Sequence, residues 1–252
     1  MARRDWTREE LIVAFNLYCK IPFGRIHIRN PAVIELAKAI KRTPSAVSWK
    51  LANFARLDPV LRQRHIVGAS HGAKSEIEIW NEFRSDWERL AFESERLLAQ
   101  ITGHVLDPND VHDFPAGATR EAIVRARVNQ GFFRAAILAS YGARCCVTGL
   151  QIQELLVASH IVPWAVDVKN RTNPTNGLCL NAIHDRSFDC GLITVMPDLK
   201  VKISPLAKRN SKDAAAREFL LRYDGMAISP PRHFPPNPDF LKFHNENIFI
   251  SS

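Results

Sequence analysis

Apolar residues recur at intervals of three and four along the first quarter of the chain, a spacing that predicts amphipathic helices. The face of the first predicted helix comprises Leu11, Ala14, Phe15 and Tyr18. Thr7 and Glu10 form a capping box at its start. Two more helices are predicted to begin at Asn30-Pro31 and at Thr43-Pro44-Ser45, where a capping side chain precedes a proline of the first turn. Three short helices are therefore expected in this part.

A second apolar stripe predicts one long connecting helix. Ser75 and Glu78 form a capping box at its start, and the stripe comprises Ile77, Trp80, Phe83, Trp87, Leu90 and Leu97. An aromatic stripe with this period is typical of a packed core or a coiled coil, not of a ligand site.

The second half of the chain changes character. The Pro- and Asp-rich stretch 107–115 marks a boundary, and a helix is predicted over 119–141. Short segments separated by turn residues follow Gly142. The proline-rich stretch 229–238 is predicted to run extended, with anchoring side chains at Phe240, Leu241 and Phe243.

Charge is unevenly distributed and divides the chain into three parts. Residues 1–66 hold 13 Lys and Arg against 5 Asp and Glu (net +8), residues 67–110 hold 4 against 9 (net −5), and residues 111–252 hold 17 against 12 (net +5). We interpret the acidic part as a spacer or dimerisation helix, because its exposed face would repel polyanions. The predicted domains are a basic helical domain over 1–66, a helical connector over 67–115 and a third domain over 116–252.

The composition is that of a soluble globular protein with a packed core, with 252 residues, 46% hydrophobic content and a mean hydropathy of −0.15. No apolar run of about 18 residues is present for a membrane span, and the charged start does not suit a signal peptide. Five cysteines, an odd number that includes one vicinal pair, favour free thiols in a reducing compartment. We therefore expect a cytoplasmic protein without a membrane partner.

The net charge of +8 and the pI near 9.5 favour binding to polyanions, because each neutralised phosphate releases condensed counterions. Three short basic helices are typical of a helix-turn-helix or Myb-like module, whose last helix enters the major groove of double-stranded DNA. The predicted DNA contacts of this part are Arg42, Ser45, Ser48, Trp49, Lys50 and Asn53. The alternative is a small helical bundle whose basic surface is only solvated.

Three motifs follow one another between residues 145 and 192. They read Ser-His160-Ile-Val-Pro-Trp, Asn176-Gly-Leu-Cys-Leu and Asp185-Arg-Ser-Phe-Asp189-Cys-Gly. In this order they resemble the HNH (ββα-metal) endonuclease family, in particular a branch found among restriction endonucleases. The resemblance covers about residues 125–195. It implies an α+β protein with a C-terminal ββα-metal nuclease domain, which cuts DNA in a restriction or defence system against foreign DNA.

The resemblance also assigns roles, and the chemistry of the residues suits phosphodiester hydrolysis. His160, at the end of an apolar strand-like run, falls on the general base, and a neutral imidazole accepts a proton near pH 7. Asn176 falls on the residue that braces the loop and so orients the histidine. Asp185 falls on the last metal ligand, and Asp189 shares its helix face one turn later. Hard carboxylates suit one Mg²⁺ or Mn²⁺.

Two departures from the family pattern concern the metal. Ser159 stands where many members carry an acidic ligand, which predicts fewer protein ligands and weak binding. Aspartate replaces the final histidine, so the choice between His184 and Asp185 as the main ligand stays open. Structural zinc is not expected, because no Cys-x-x-Cys pair occurs. Three basic residues in or between the motifs are candidate phosphate contacts or ordinary surface charge: Lys169, Arg171 and Arg186.

Double-stranded DNA and a second copy of the chain are the expected partners, and two other functions are considered. One ββα-metal site cuts one strand, so a homodimer is expected for a double-strand break. The main alternative is a non-catalytic DNA-binding regulator built on a degenerate HNH scaffold. A second alternative keeps the nuclease but changes its target to RNA or to a recombination-type nick.

Overall fold

The computed structural model describes residues 4–63, 73–103 and 120–251. Within these ranges the chain forms eleven α-helices and two small antiparallel sheets, which confirms the predicted α+β class. The chain divides into two compact units, Met1–Ala136 and Ile137–Ser252. The predicted boundary stretch 107–115 lies outside the described residues. No helix in the described ranges combines the length and the apolar character needed to cross a bilayer.

The first three helices begin at the predicted residues. They are α1 (Arg8–Lys20), α2 (Pro31–Ala39) and α3 (Pro44–Ala55). The Thr7 side chain accepts from the Glu10 amide and completes the capping box, while Asn30 and Thr43 cap α2 and α3 ahead of a proline. Each cap satisfies an amide that has no partner within its helix, so the local sequence fixes where these helices start.

The predicted long connecting helix is wrong, because this part of the chain forms separate helices. After α4 (Pro59–Gln63), it contains α5 (Lys74–Phe83) and α6 (Trp87–Thr102). Helix α5 follows Ala73 without a side-chain cap, so the predicted capping box of Ser75 does not form. The Asp86 side chain accepts from the Arg89 amide and starts a new helix after the break. Both helices then pack against α1.

The aromatic stripe is core, as predicted, except for its first residue, Ile77, which is 38% exposed. The Phe15 ring of α1 lies 5.2 Å from the ring of Trp80 and 6.2 Å from that of Trp87, so the two sides of the break meet the same side chain. Trp80, Phe83 and Trp87 are all buried. Breaking the helix lets both halves bury their apolar faces on α1, which is the main stabilising effect in a helical unit.

The acidic residues of α5 and α6 do not form a separate repelling face. Arg8 of α1 binds Glu82 at 2.6 Å and Glu93 at 2.9 Å, and Lys20 binds Glu95 at 3.1 Å. These three glutamates are therefore paired within one unit, and the predicted exposed face that repels polyanions is wrong for them. The interpretation of residues 67–110 as a spacer or dimerisation helix stays a prediction.

The second unit contains a ββα arrangement. After α7 (Arg120–Ser140), which crosses the unit boundary, come β1 (Leu156–His160), β2 (Gly177–Asn181) and α8 (Ala182–Asp189). Strands β1 and β2 are antiparallel, with His160 opposite Gly177 and Leu156 opposite Asn181. Helix α8 follows β2 directly and is capped by the Asn181 side chain. This pairing brings the end of β1 and the start of β2 to the same place.

The rest of the second unit completes the fold around α8. Strands β3 (Ile193–Val195) and β4 (Val201–Ile203) form the other sheet, and the remaining helices are α9 (Pro205–Lys208), α10 (Ala214–Phe219) and α11 (Pro238–Asn247). Residues 229–237 form no helix or strand, as predicted for the proline-rich stretch, but Pro238 and the predicted anchors Phe240, Leu241 and Phe243 belong to α11. Asn237 caps α11 and Pro238 occupies its first turn.

Candidate active site

His160 ends β1, and a main-chain contact fixes its ring. Its Nε2 lies 2.9 Å from the backbone carbonyl oxygen of Arg171. A carbonyl only accepts, so in the neutral ring Nε2 carries the hydrogen and Nδ1 carries the lone pair. Burial lowers the pKa of His160 and outweighs the Arg171 carbonyl and the Asp185 charge, which both raise it. The ring is therefore neutral at pH 7 and has Nδ1 as its basic atom.

Asn176 ties the loop that follows His160. This fully buried side chain accepts from the Val162 amide at 2.8 Å and donates to the carbonyls of Val162 at 3.1 Å and Asn170 at 3.2 Å. Its own carbonyl accepts from the Ile161 amide at 3.0 Å. These bonds reach residues 161, 162 and 170 of the loop that presents the Arg171 carbonyl to His160. Asn176 thus lies where it braces that loop.

The two carboxylates of α8 lie on the same cavity as His160. This His160 cavity has a volume of about 420 Å³, and its polar lining comprises Ser159, His160, Asp185, Asp189 and His244. Burial raises the pKa of Asp185, against Ser159, Arg186 and His160, which lower it. Burial and the Asp185 charge raise the pKa of Asp189. A cation bound between two carboxylates that repel each other in this way would stabilise both charges.

The donor set suits a hard divalent cation that keeps most of its own solvent. No group of three or more His, Cys, Asp or Glu side chains in the described ranges could hold a metal ion. Asp185 and Asp189 offer two carboxylates to the same space. Mg²⁺ is usually bound in this way, by one or two carboxylates together with water and substrate phosphate. The residues therefore fit Mg²⁺ or Mn²⁺.

His184 lies away from the cavity. Its amide and its Nδ1 both donate to Asn181 Oδ1, at 2.9 and 3.0 Å, and its ring packs edge-on against Tyr223. Its Nε2 is buried without a hydrogen-bond partner. Burial lowers the pKa of His184 to about 4. Of the two candidate ligands left open by the sequence, only Asp185 lines the cavity.

The three predicted phosphate contacts differ in placement. Lys169 and Arg186 are exposed, and the Arg186 charge lowers the pKa of both Asp185 and Asp189. Arg171 is tied to the loop, because its Nε donates to the Trp164 carbonyl at 2.8 Å and its guanidinium lies 5.1 Å from the Trp164 ring. Arg171 thus shapes the loop whose carbonyl holds His160.

Half of the predicted DNA contacts in the first unit have partners within the protein. Arg42 binds Glu10 at 2.7 Å. Lys50, predicted to face outward, is buried, because it is ion-paired with the fully buried Glu76, which also accepts from Asn53 at 2.8 Å. The other three lie outward to different degrees: Ser45 is exposed, Ser48 is half-buried and Trp49 is 63% exposed.

Two cavity residues were missed by sequence reasoning, His244 and Ile248. Both lie in or after α11, far along the chain from the three motifs. The Asn237-Pro238 pair repeats the start signal of α2 and could have located the helix. Nothing in the sequence pattern indicates which of its residues reach the cavity.

Comparison with known proteins agrees with this geometry. Residues 145–196 match the family model described as HNH endonuclease, which covers about a fifth of the chain. A search of curated proteins gave no significant match. The matched segment contains β1, β2 and α8 and the three motifs. The resemblance drawn from those motifs is therefore confirmed, and residues 145–196 are similar to the HNH endonuclease family.

Proposed function

We propose that this protein is a metal-dependent DNA endonuclease whose active site is the His160 cavity. The observation that carries the proposal is the convergence of His160, Asp185 and Asp189 on that cavity, with Nε2 of His160 held by a main-chain carbonyl. A base of fixed tautomer beside two carboxylates is the donor set that metal-assisted phosphodiester hydrolysis requires.

His160 acts as the general base. Its Nδ1 takes a proton from a water molecule while the water oxygen attacks phosphorus, and the bond from phosphorus to the leaving ester oxygen breaks. Burial keeps the imidazole neutral before the step, and the nearby Asp185 charge favours the imidazolium that forms. Asn176 and the Arg171 carbonyl keep the ring in place throughout.

Asp185 and Asp189 would hold the Mg²⁺ or Mn²⁺ ion. When bound, such an ion neutralises charge on the scissile phosphate and on the leaving oxygen. Exposed Lys169 and Arg186 are in the same unit and would contact neighbouring phosphates.

The substrate of the proposed enzyme is double-stranded DNA. The net charge of +8 favours binding to a polyanion, which we take to be double-stranded DNA, and the exposed Trp49 and Ser45 of α3 would contact it. The motif resemblance favours a restriction or defence role against foreign DNA. One such site cuts one strand, so the working form would be a homodimer, which light scattering at several concentrations tests.

A non-catalytic DNA-binding regulator is the second candidate. The observation that favours it is Ser159, which lines the cavity at the position where many family members carry an acidic ligand. Two carboxylates without a third protein ligand bind a cation weakly, and a scaffold that had lost its metal would look similar.

A plasmid assay separates the two candidates. Supercoiled plasmid is incubated with Mg²⁺ or Mn²⁺ and the wild-type chain, the His160→Ala variant or the His27→Ala variant, whose exposed histidine lies in the first unit. We expect wild type and His27→Ala to nick or linearise the plasmid, and His160→Ala to lose at least about a hundredfold in rate. A wild-type chain that binds the plasmid without cutting it, with either metal, would establish the regulator instead.

A further inference from the structure

His244 of α11 lies outside the matched residues 145–196 and yet lines the His160 cavity. Its side chain is buried, with 1% exposure, and its ring stacks on Phe188 of α8 at 3.6 Å with an interplanar angle of 16°. Phe188 immediately precedes Asp189. A residue near the end of the chain therefore packs on the helix that carries both carboxylates.

The hydrogen bonds of His244 have unambiguous directions. Nε2 lies 3.1 Å from the Phe188 carbonyl oxygen, which only accepts, so Nε2 donates. Nδ1 lies 2.8 Å from the hydroxyl of Thr194 and accepts from it. The neighbouring Asn245 side chain in turn donates to the Thr194 oxygen at 2.6 Å and to the Val195 carbonyl at 3.1 Å. Both ring nitrogens are thus engaged, which excludes His244 as a base or a metal ligand.

The contact falls at the end of α8, where carbonyls lack partners within the helix. The Phe188 carbonyl is one of them, and His244 and the Gly191 amide, at 2.9 Å, satisfy it together. The chain after α11 continues the contact, because the Ile250 amide donates to the Gly191 carbonyl at 3.0 Å. Gly191 has φ +69°, and a side chain there would overlap the Ile248 carbonyl. Helix α8 and the C-terminal segment are therefore closely fitted.

We propose that His244 is a positioning residue which, through the Phe188 carbonyl, holds the last turn of α8 so that Asp189 faces the same divalent cation as Asp185. The inference rests on the proposed function and extends its site beyond the matched domain. Some groups orient a metal ligand without touching the metal, and replacing such a group typically weakens metal binding by about 10–100-fold. Two substitutions, His244→Gln and His244→Asn, would each keep one of the two ring hydrogen bonds of His244. The amide nitrogen of Gln reaches the place of Nε2 and keeps the Phe188 bond, whereas Asn reaches only the place of Nδ1.

The test measures Mn²⁺ binding directly, by electron paramagnetic resonance, on the full chain without DNA. We expect His244→Asn to weaken Mn²⁺ binding about 10–100-fold and His244→Gln by less than about threefold, at similar melting temperatures. Wild-type affinity in His244→Asn, or equal losses in both variants, would overturn the positioning role. Wild-type protein that binds no Mn²⁺ at millimolar concentration and also leaves plasmid DNA uncut with Mn²⁺ would instead overturn the metal-dependent function on which this role rests.

A second measurement needs only the wild-type chain and so stays informative if the variants fail to fold. Amide hydrogen exchange is compared with and without Mn²⁺. Binding at Asp185 and Asp189 should slow exchange of the Cys190 and Gly191 amides and, through the contact with the C-terminal segment, of the Ile250 amide as well. Slowing confined to α8, with Ile250 unchanged, would contradict the proposal.

Discussion

The backbone carbonyl of Arg171 accepts a hydrogen bond from Nε2 of His160 at 2.9 Å, and the loop that places this carbonyl is tied by Asn176. The base and its holder are eleven residues apart in sequence. Their relationship depends on a third residue that faces neither the cavity nor solvent. The loop therefore fixes the tautomer of His160, and a substitution that disturbs the loop should also lower the activity of His160 as a base.

Asn176→Ala should lower both activity and stability. The Val162 amide would lose its buried acceptor, which costs about 1–3 kcal/mol in the free energy of unfolding. His160 would lose its fixed orientation, and the cleavage rate should fall at least about tenfold. Denaturant unfolding and single-turnover cleavage measure the two effects. Asn210→Ala, at an exposed asparagine, is the control. Full activity in folded Asn176→Ala would show that the loop does not orient the base.

The acid limb of the activity profile should lie below pH 6.5. Burial is the largest influence on the pKa of His160 and lowers it, so the ring stays neutral until the pH falls under its ordinary value. The rate constant kcat/KM should therefore be flat at neutral pH and decline only in more acidic solution. The profile is measured at saturating metal, because Asp185 and Asp189 also protonate in acid. A limb centred above pH 7 would exclude His160 as the group that titrates.

Glu76→Gln should strongly destabilise the first unit. Glu76 is fully buried and is ion-paired with buried Lys50, so the substitution leaves an ammonium without its counter-charge. Breaking such a buried pair costs about 3–5 kcal/mol. Glu78→Gln is the matched control, since its exposed pair with Lys74 at 3.9 Å contributes at most about 0.5 kcal/mol. Equal effects of the two substitutions on thermal unfolding would refute a buried role for Glu76.

Gly191→Ala should destabilise the second unit more than Gly149→Ala does. Both glycines have a left-handed backbone, with φ +69° and φ +76°, so both substitutions carry the strain of about 1–2 kcal/mol. Only at Gly191 does the new methyl group also overlap the backbone of the C-terminal segment, at Ile248. The difference in free energy of unfolding isolates that contact. Identical losses would mean that the segment moves aside without cost.

Local signals predicted the starts of helices well. Thr7, Asn30 and Thr43 cap helices where the sequence places them, because a cap involves residues three apart at most. The same signal is present at Asn237, but the proline-rich stretch before it predicted an extended segment, so α11 was missed. The break at Asp86 was missed because the apolar spacing continues across it, as both helices pack on α1.

Long-range partners were not predictable from sequence. Lys50 looks like a surface cation until Glu76, 26 residues later, is placed beside it. His244 shares no motif with Phe188, 56 residues earlier, although the two side chains are stacked. In contrast, His160, Asp185 and Asp189, which the motifs single out, line one cavity, because strand, strand and helix follow each other in the chain.

The most direct measurement for the central claim is chemical rescue of the base. His160→Gly should cut DNA at least about a hundredfold more slowly than wild type, and added imidazole should restore part of the rate, because it can occupy the space of the missing ring. Asp185→Asn should lose activity without any rescue. If His160→Gly cuts at the wild-type rate, or if imidazole accelerates Asp185→Asn equally, the imidazole of residue 160 is not the base that starts phosphodiester hydrolysis.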